Sequence, residues 1–155
     1  VRVRLIAVGS RMPKWVREAY EDYITRLSSG LKVALVEIEP GQRSGGDTAR
    51  AMQTEGQKLL AALRKDEYVV ALDEHGAEMT TRELAAWLKT RMQDGRDVAF
   101  LVGGPDGFAR EVLERSDFKW SLSRLTFPHA LVRVVLAEQL YRAHTVLSNH
   151  PYHRD

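Results

Sequence analysis

At 155 residues and 17.6 kDa the chain suits one domain with a hydrophobic core of its own. Its 44% hydrophobic, 28% charged and 8% aromatic content is that of an ordinary globular protein. The lack of cysteine excludes a disulfide framework, a Cys-based zinc site and a thiol nucleophile, and a net charge of +2 is too small to establish nucleic-acid binding.

No apolar run approaches a membrane span of about 18 residues, and the N-terminus lacks a signal-peptide core, so a cytoplasmic protein without membrane contact is expected. Charge is unevenly spread. Basic residues outnumber acidic ones between Val1 and Arg26, and His129, His144, His150 and His153 crowd the C-terminal end.

Val1 to Val8 reads as a first strand ending at Gly9. Pro13 suits a first helical position, and Trp15, Val16, Ala19, Tyr20, Tyr23, Ile24 and Leu27 recur at helical spacing. Lys32 to Ile38 is a second strand, followed by a glycine-rich loop or mobile segment from Pro40 to Asp47. Thr48 to Leu63 looks helical, with Gly56 as a weak point. Glu67 to Asp73 forms a Val-rich strand. Thr80 and Glu83 then make a capping-box pattern ahead of Leu84, Ala85, Trp87 and Leu88, and Gly95 stops that helix.

Asp97 to Val102 is nearly all apolar, as a strand buried on both faces should be. Phe108 to Arg115 gives a short helix and Lys119 to Leu122 a short strand. From Pro128 to about Leu147 runs a long helix whose apolar residues cover most of its circumference, which suggests a subunit interface. Alternating strands and helices imply a single α/β domain around a mostly parallel sheet, with no repeat or linker.

Ligands of open parallel sheets bind beyond the carboxyl ends of the strands. Three such ends stand out: Ala71 to Asp73, Val102 to Gly107, and Leu122 to Phe127. Glycines there would let a ligand approach the backbone, although a tight turn into a helix explains Gly103 to Gly107 equally well. Neither a dinucleotide fingerprint nor a phosphate-binding Walker motif occurs, and Gly9-Ser10-Arg11 offers too few glycines for a flavodoxin-like loop. His150 and His153 have no carboxylate beside them until Asp155, so an ordered tail is expected there and no metal site. Arg133, Glu138 and Arg142 interrupt the apolar final helix. Glu138 and Arg142 are four apart and could simply pair, but charges on so apolar a helix also suit a site or an interface.

Several segments resemble the RlmH family of SPOUT-class methyltransferases: Leu101 to Gly107, Leu122 to Phe127, Pro128-His129, Arg133-Val134, Glu138 to Ala143 and Asn149 to His153. Ala7-Val8-Gly9 and Met12 to Trp15 extend the resemblance over the whole chain, and Asp106 stands where the family often has Glu. It implies a C-terminal trefoil knot, a homodimer packed through knot-region helices, and S-adenosylmethionine (SAM) as cofactor with no metal. The cofactor residues carried over are Leu72, Gly103, Gly104, Leu122, Ser123, Arg124, Leu125, Thr126 and Phe127. The implied substrate is a pseudouridine in helix 69 of 23S rRNA, methylated at N3 on the assembled ribosome.

On this resemblance, Tyr152, His153 and Arg154 of one subunit would close over the pocket of the other. Tyr152 would stack on the base, Arg142 or Arg154 would hold phosphate or a carbonyl, and His129 and Glu138 are candidate proton acceptors. His129 could equally be a helix-start residue bonded to backbone. Another RNA target, or a ribosome-binding module without catalysis, remains open.

Overall fold

The computed structural model describes residues 1–27 and 30–153. Five strands are linked by helices: β1 (Arg2–Val8), α1 (Lys14–Arg26), β2 (Lys32–Ile38), α2 (Thr48–Ala62), β3 (Tyr68–Glu78), α3 (Thr81–Asp94), β4 (Val98–Val102), α4 (Arg110–Arg115), β5 (Phe118–Ser121) and α5 (His129–Leu147). The sheet order is β2-β1-β4-β3-β5 and every strand pairing is parallel, as the alternation of elements predicts.

Strand alternation divides the core in two. Val3, Leu5, Ala7, Val70, Val98, Phe100 and Val102 point to one face, where Tyr20 of α1 and Leu27 just after it, Leu84 and Leu88 of α3, and Leu136 and Leu140 of α5 cover them. Ile6, Val8, Val69, Ala99 and Leu101 point to the other, against Leu59 of α2 and Val112 of α4. All five residues of β4 are therefore buried, which is why that strand shows no polar alternation.

Helix boundaries follow local chemistry. Thr80 accepts from the Glu83 amide while the Glu83 carboxylate accepts from the Thr80 amide, so the capping box forms as expected, and Gly95 ends α3 at φ 81°. Pro13 precedes α1 with extended backbone, φ −52° and ψ 149°, and is not its first residue. α2 runs unbroken through Gly56. That residue lies where α2 meets α4, and a Cβ there would stand 2.9 Å from Ala109 Cβ.

The bounds expected for the third strand are corrected. β3 begins at Tyr68 and continues past Asp73 to Glu78, because a register shift between Leu72 and Ala77 lets it pair again with Trp120 and Ser121. Glu67 is left outside the strand, 2% exposed and held by Arg4. The segment 40–47 is a loop, as expected, and it is anchored: Gly41 N and Arg43 both donate to Glu55.

α5 packs along α1 and α3, with Thr81 Oγ1 donating to Gln139 Oε1 at 2.9 Å. Its buried side carries Arg133, Leu136, Ala137, Leu140 and Tyr141, while Leu131, Val134 and Val135 are only half-buried.

Candidate active site

The connection from β1 runs outward to β2, whereas that from β4 crosses β3 to reach β5. α1 and α4 consequently lie on opposite faces, and chain reversals of this kind open a crevice beyond the carboxyl ends of the strands. A cleft of about 600 Å³ lies at that end. All three segments picked out at strand ends contribute to it: Leu72 and Asp73 from β3, Val102 to Gly107 after β4, and Ser121 to Ser123 with Leu125 to Phe127 after β5.

Of the cofactor positions expected from sequence, Leu72, Gly103, Gly104, Leu122, Ser123, Leu125, Thr126 and Phe127 line the cleft. Arg124 is exposed and is not among the lining residues. The loop after β5 braces itself, with Ser121 Oγ donating to the Ser123 carbonyl at 2.9 Å and Ser123 Oγ accepting from the Leu125 amide at 3.0 Å. Gly104 has no room for a side chain, since a Cβ would lie 3.0 Å from Glu55 Oε1 and 3.2 Å from Val8 Cγ1. Sequence reasoning missed Phe108, Leu113, Trp120 and Val132, which form apolar walls. Trp120 also carries a buried indole Nε1 without a hydrogen-bond partner among the described residues.

The candidate catalytic residues divide between two places. His129 opens α5, is half-buried and lines the cleft. Glu138, Arg142 and Tyr152 gather further along α5, where Glu138 is separated from His129 by a rise of about 14 Å at roughly 1.5 Å per residue. There Glu138 accepts from the Tyr152 hydroxyl at 2.7 Å, from Arg142 Nε at 3.0 Å and from Gln139 Nε2 at 2.8 Å. Arg142 thus pairs with Glu138 across one helical turn and lies 4.9 Å from the Tyr152 ring centre, while the Tyr141 and Tyr152 ring centres are 4.5 Å apart. Burial, followed by the hydrogen bond to Glu138, raises the Tyr152 phenol above its usual range. Arg154 lies outside the described residues.

Arg133 has a structural environment. It is 1% exposed, donates to Glu37 Oε2 at 2.9 Å and to the Gly9 carbonyl at 3.4 Å, and so ties α5 to the ends of β1 and β2. Among the described residues no group of His, Asp and Glu is arranged to hold a metal.

Comparison with known proteins decides the family. Residues 1–153 match the family described as "Predicted SPOUT methyltransferase". The chain is 54% identical to the ribosomal RNA large subunit methyltransferase H of Alkalilimnicola ehrlichii, with 99% of each chain covered. It is 50% identical to the protein of the same name from Methylococcus capsulatus, covering 99% of this chain and all of that one. The chain belongs to the RlmH family of SPOUT methyltransferases.

The fold is also found in solved structures. A probable methylase family protein from Haemophilus influenzae superposes with TM-score 0.53 at 14% identity, covering 97% of this chain and 69% of that one. TrmJ from Z. mobilis does so with TM-score 0.50 at 14% identity, covering 94% and 70%. These likenesses concern the fold alone. In this RlmH-family chain no helix among the described residues is long and apolar enough to cross a membrane.

Proposed function

We propose that the chain transfers a methyl group from SAM to N3 of a pseudouridine in helix 69 of 23S rRNA, acting on the assembled ribosome. The observation that carries this reading is the near full-length identity, about half of all residues, to proteins named ribosomal RNA large subunit methyltransferase H. The cleft supports it independently. A volume of about 600 Å³ suits a nucleoside-sized ligand, and its lining combines apolar side chains such as Leu72, Phe108 and Phe127 with the glycines of the loop after β4.

Leu72, Gly103, Gly104, Leu122, Ser123, Leu125, Thr126 and Phe127 would hold the cofactor, in what we take to be the knotted loops of the SPOUT fold. SAM supplies a methyl group activated by its sulfonium. The chain's own contribution is to exclude water, align the base within attack distance and accept the N3 proton. His129, the titratable side chain that both opens α5 and lines the cleft, is the candidate acceptor. Glu138 is committed to Tyr152, Arg142 and Gln139 and acts instead as the post that orients them.

Within one chain the Tyr152 cluster and the cleft belong to different parts of α5. A homodimer unites them by bringing the tail of one subunit over the cleft of its partner, and the half-buried Leu131, Val134 and Val135 supply an apolar stripe for such packing. Tyr152→Ala and Arg154→Ala proteins, checked to be dimeric and to bind SAM by calorimetry, should lose methyl transfer to ribosomes by at least about 100-fold. Full-rate transfer by both would remove the composite site. Absence of SAM binding by the unaltered chain would favour a ribosome-binding module instead.

A further inference from the structure

Beneath the Gly103 to Gly107 loop lies a charged clamp that the proposed chemistry does not use directly. Glu55, on the apolar stripe of α2 between Ala51 and Leu59, is 2% exposed, and its Oε1 presses against the position a Gly104 Cβ would take. Its Oε2 accepts from Gly41 N at 2.8 Å and Arg43 Nη1 at 2.7 Å, and its Oε1 from Arg43 Nη2 at 3.1 Å. The remaining edge of that guanidinium, Nε, donates to Asp106 Oδ2 at 2.7 Å. One arginine therefore joins the buried face of α2 to a loop that lines the cleft.

The loop needs such a hold. It turns through Gly107 at φ 85°, with the Gly107 amide donating to the Gly104 carbonyl at 3.1 Å, and a Cβ on Gly107 would meet nothing within 4 Å. Glycine backbone has more freedom to lose on binding than any other, so fixing it beforehand favours a ligand that uses its backbone groups. A planar guanidinium gripping two carboxylates at once fixes both distance and angle, which a lysine cannot do.

We infer that Arg43, seated on Glu55, is a positioning residue that sets the cofactor loop through Asp106 and so tunes SAM affinity. The inference rests on the reading of the cleft as the SAM site. Neither Arg43 nor Glu55 lines the cleft, so each acts through the loop and not on the cofactor.

The test is calorimetric titration of SAM into the full-length Asp106→Asn, Arg43→Gln, double-variant and Asp106→Glu proteins, with kcat and KM measured on ribosomes. Asp106→Asn and Arg43→Gln should each weaken SAM binding about tenfold, as expected for a lost charge-assisted hydrogen bond. The double variant should be no weaker than either single one, since both break the same link. Asp106→Glu, which keeps a carboxylate in reach, should bind within about threefold of the unaltered chain. The KM for SAM should rise while the KM for ribosomes holds.

Unchanged SAM affinity in Asp106→Asn would overturn the inference, as would additive losses in the double variant. Asp106 is over a third exposed and its change leaves the Arg43–Glu55 pair in place, so this variant tests the clamp even if Arg43→Gln fails to fold. If the unaltered chain takes up no SAM, the cofactor reading falls and the clamp's role with it. If it binds SAM and the variants match it, the clamp alone falls.

Discussion

At the scale of single residues, the buried charges among the described residues, Glu55, Glu67 and Arg133, each meet an oppositely charged partner. Glu67 accepts from Arg4 Nε at 2.8 Å, Arg4 Nη2 at 2.6 Å and the Arg64 amide at 2.7 Å. Burial alone would raise its pKa, but the Arg4 and Arg64 hydrogen bonds outweigh that and hold it below its ordinary 4.5. A depressed carboxylate pKa means the folded state binds fewer protons than the unfolded one. Its stabilisation is complete above about pH 5 and is lost as the pH falls through the folded value. Glu67→Gln should therefore cost about 2 kcal/mol in urea unfolding near pH 7, and the difference should shrink at about pH 3. An equal cost at both pH values would show that the pair is not what stabilises this corner.

The same scale shows where sequence reasoning reaches its limit. Arg133 and Glu55 both interrupt apolar helical stripes, and that interruption is visible in the sequence. What answers each charge is not visible, because Glu37 and Gly9 come from strand ends brought near only by the sheet order, and Arg43 from an irregular loop that folds back on α2. The Glu138 and Arg142 pair was legible because both lie on one helix, four residues apart.

At the scale of elements, the approach of α2 to α4 turns on Gly56. Its conversion to alanine would improve helix propensity by up to about 1 kcal/mol. It would also place a methyl group 2.9 Å from Ala109 Cβ and 3.2 Å from Val112 Cγ2. Ala109 precedes α4, so relief requires backbone movement. Gly56→Ala should lower stability by about 1–2 kcal/mol net, and Ala109→Gly in the same chain should recover part of the loss. A thermal-unfolding series of the two singles and the double checks this; simple additivity would contradict the contact. Strand and helix identity, the capping box and the Gly95 stop were all readable, since they depend on neighbours in sequence. The extension of β3 to Glu78 was not, because it depends on pairing with β5 across a register shift.

At the scale of the whole molecule, the crevice was readable as a rule of parallel sheets before any pocket was seen. Eight of the nine cofactor positions drawn from the family resemblance line it; Arg124, exposed on the same loop, is not among the lining residues. The walls at Phe108, Leu113 and Val132 were hidden because such apolar residues look like ordinary core residues. The separation of His129 from the Glu138, Arg142 and Tyr152 cluster explains why one chain alone does not assemble every candidate group around one base. It makes the homodimer part of the chemistry proposed.

That chemistry has a direct test. The chain would be incubated with methyl-labelled SAM and either assembled ribosomes or separated subunits from cells lacking the modification, and the labelled nucleoside mapped by mass. The account predicts a single product on assembled ribosomes, N3-methylpseudouridine in helix 69 of 23S rRNA, with little label on separated subunits. Label on no ribosomal RNA, or on a different nucleoside, would contradict it.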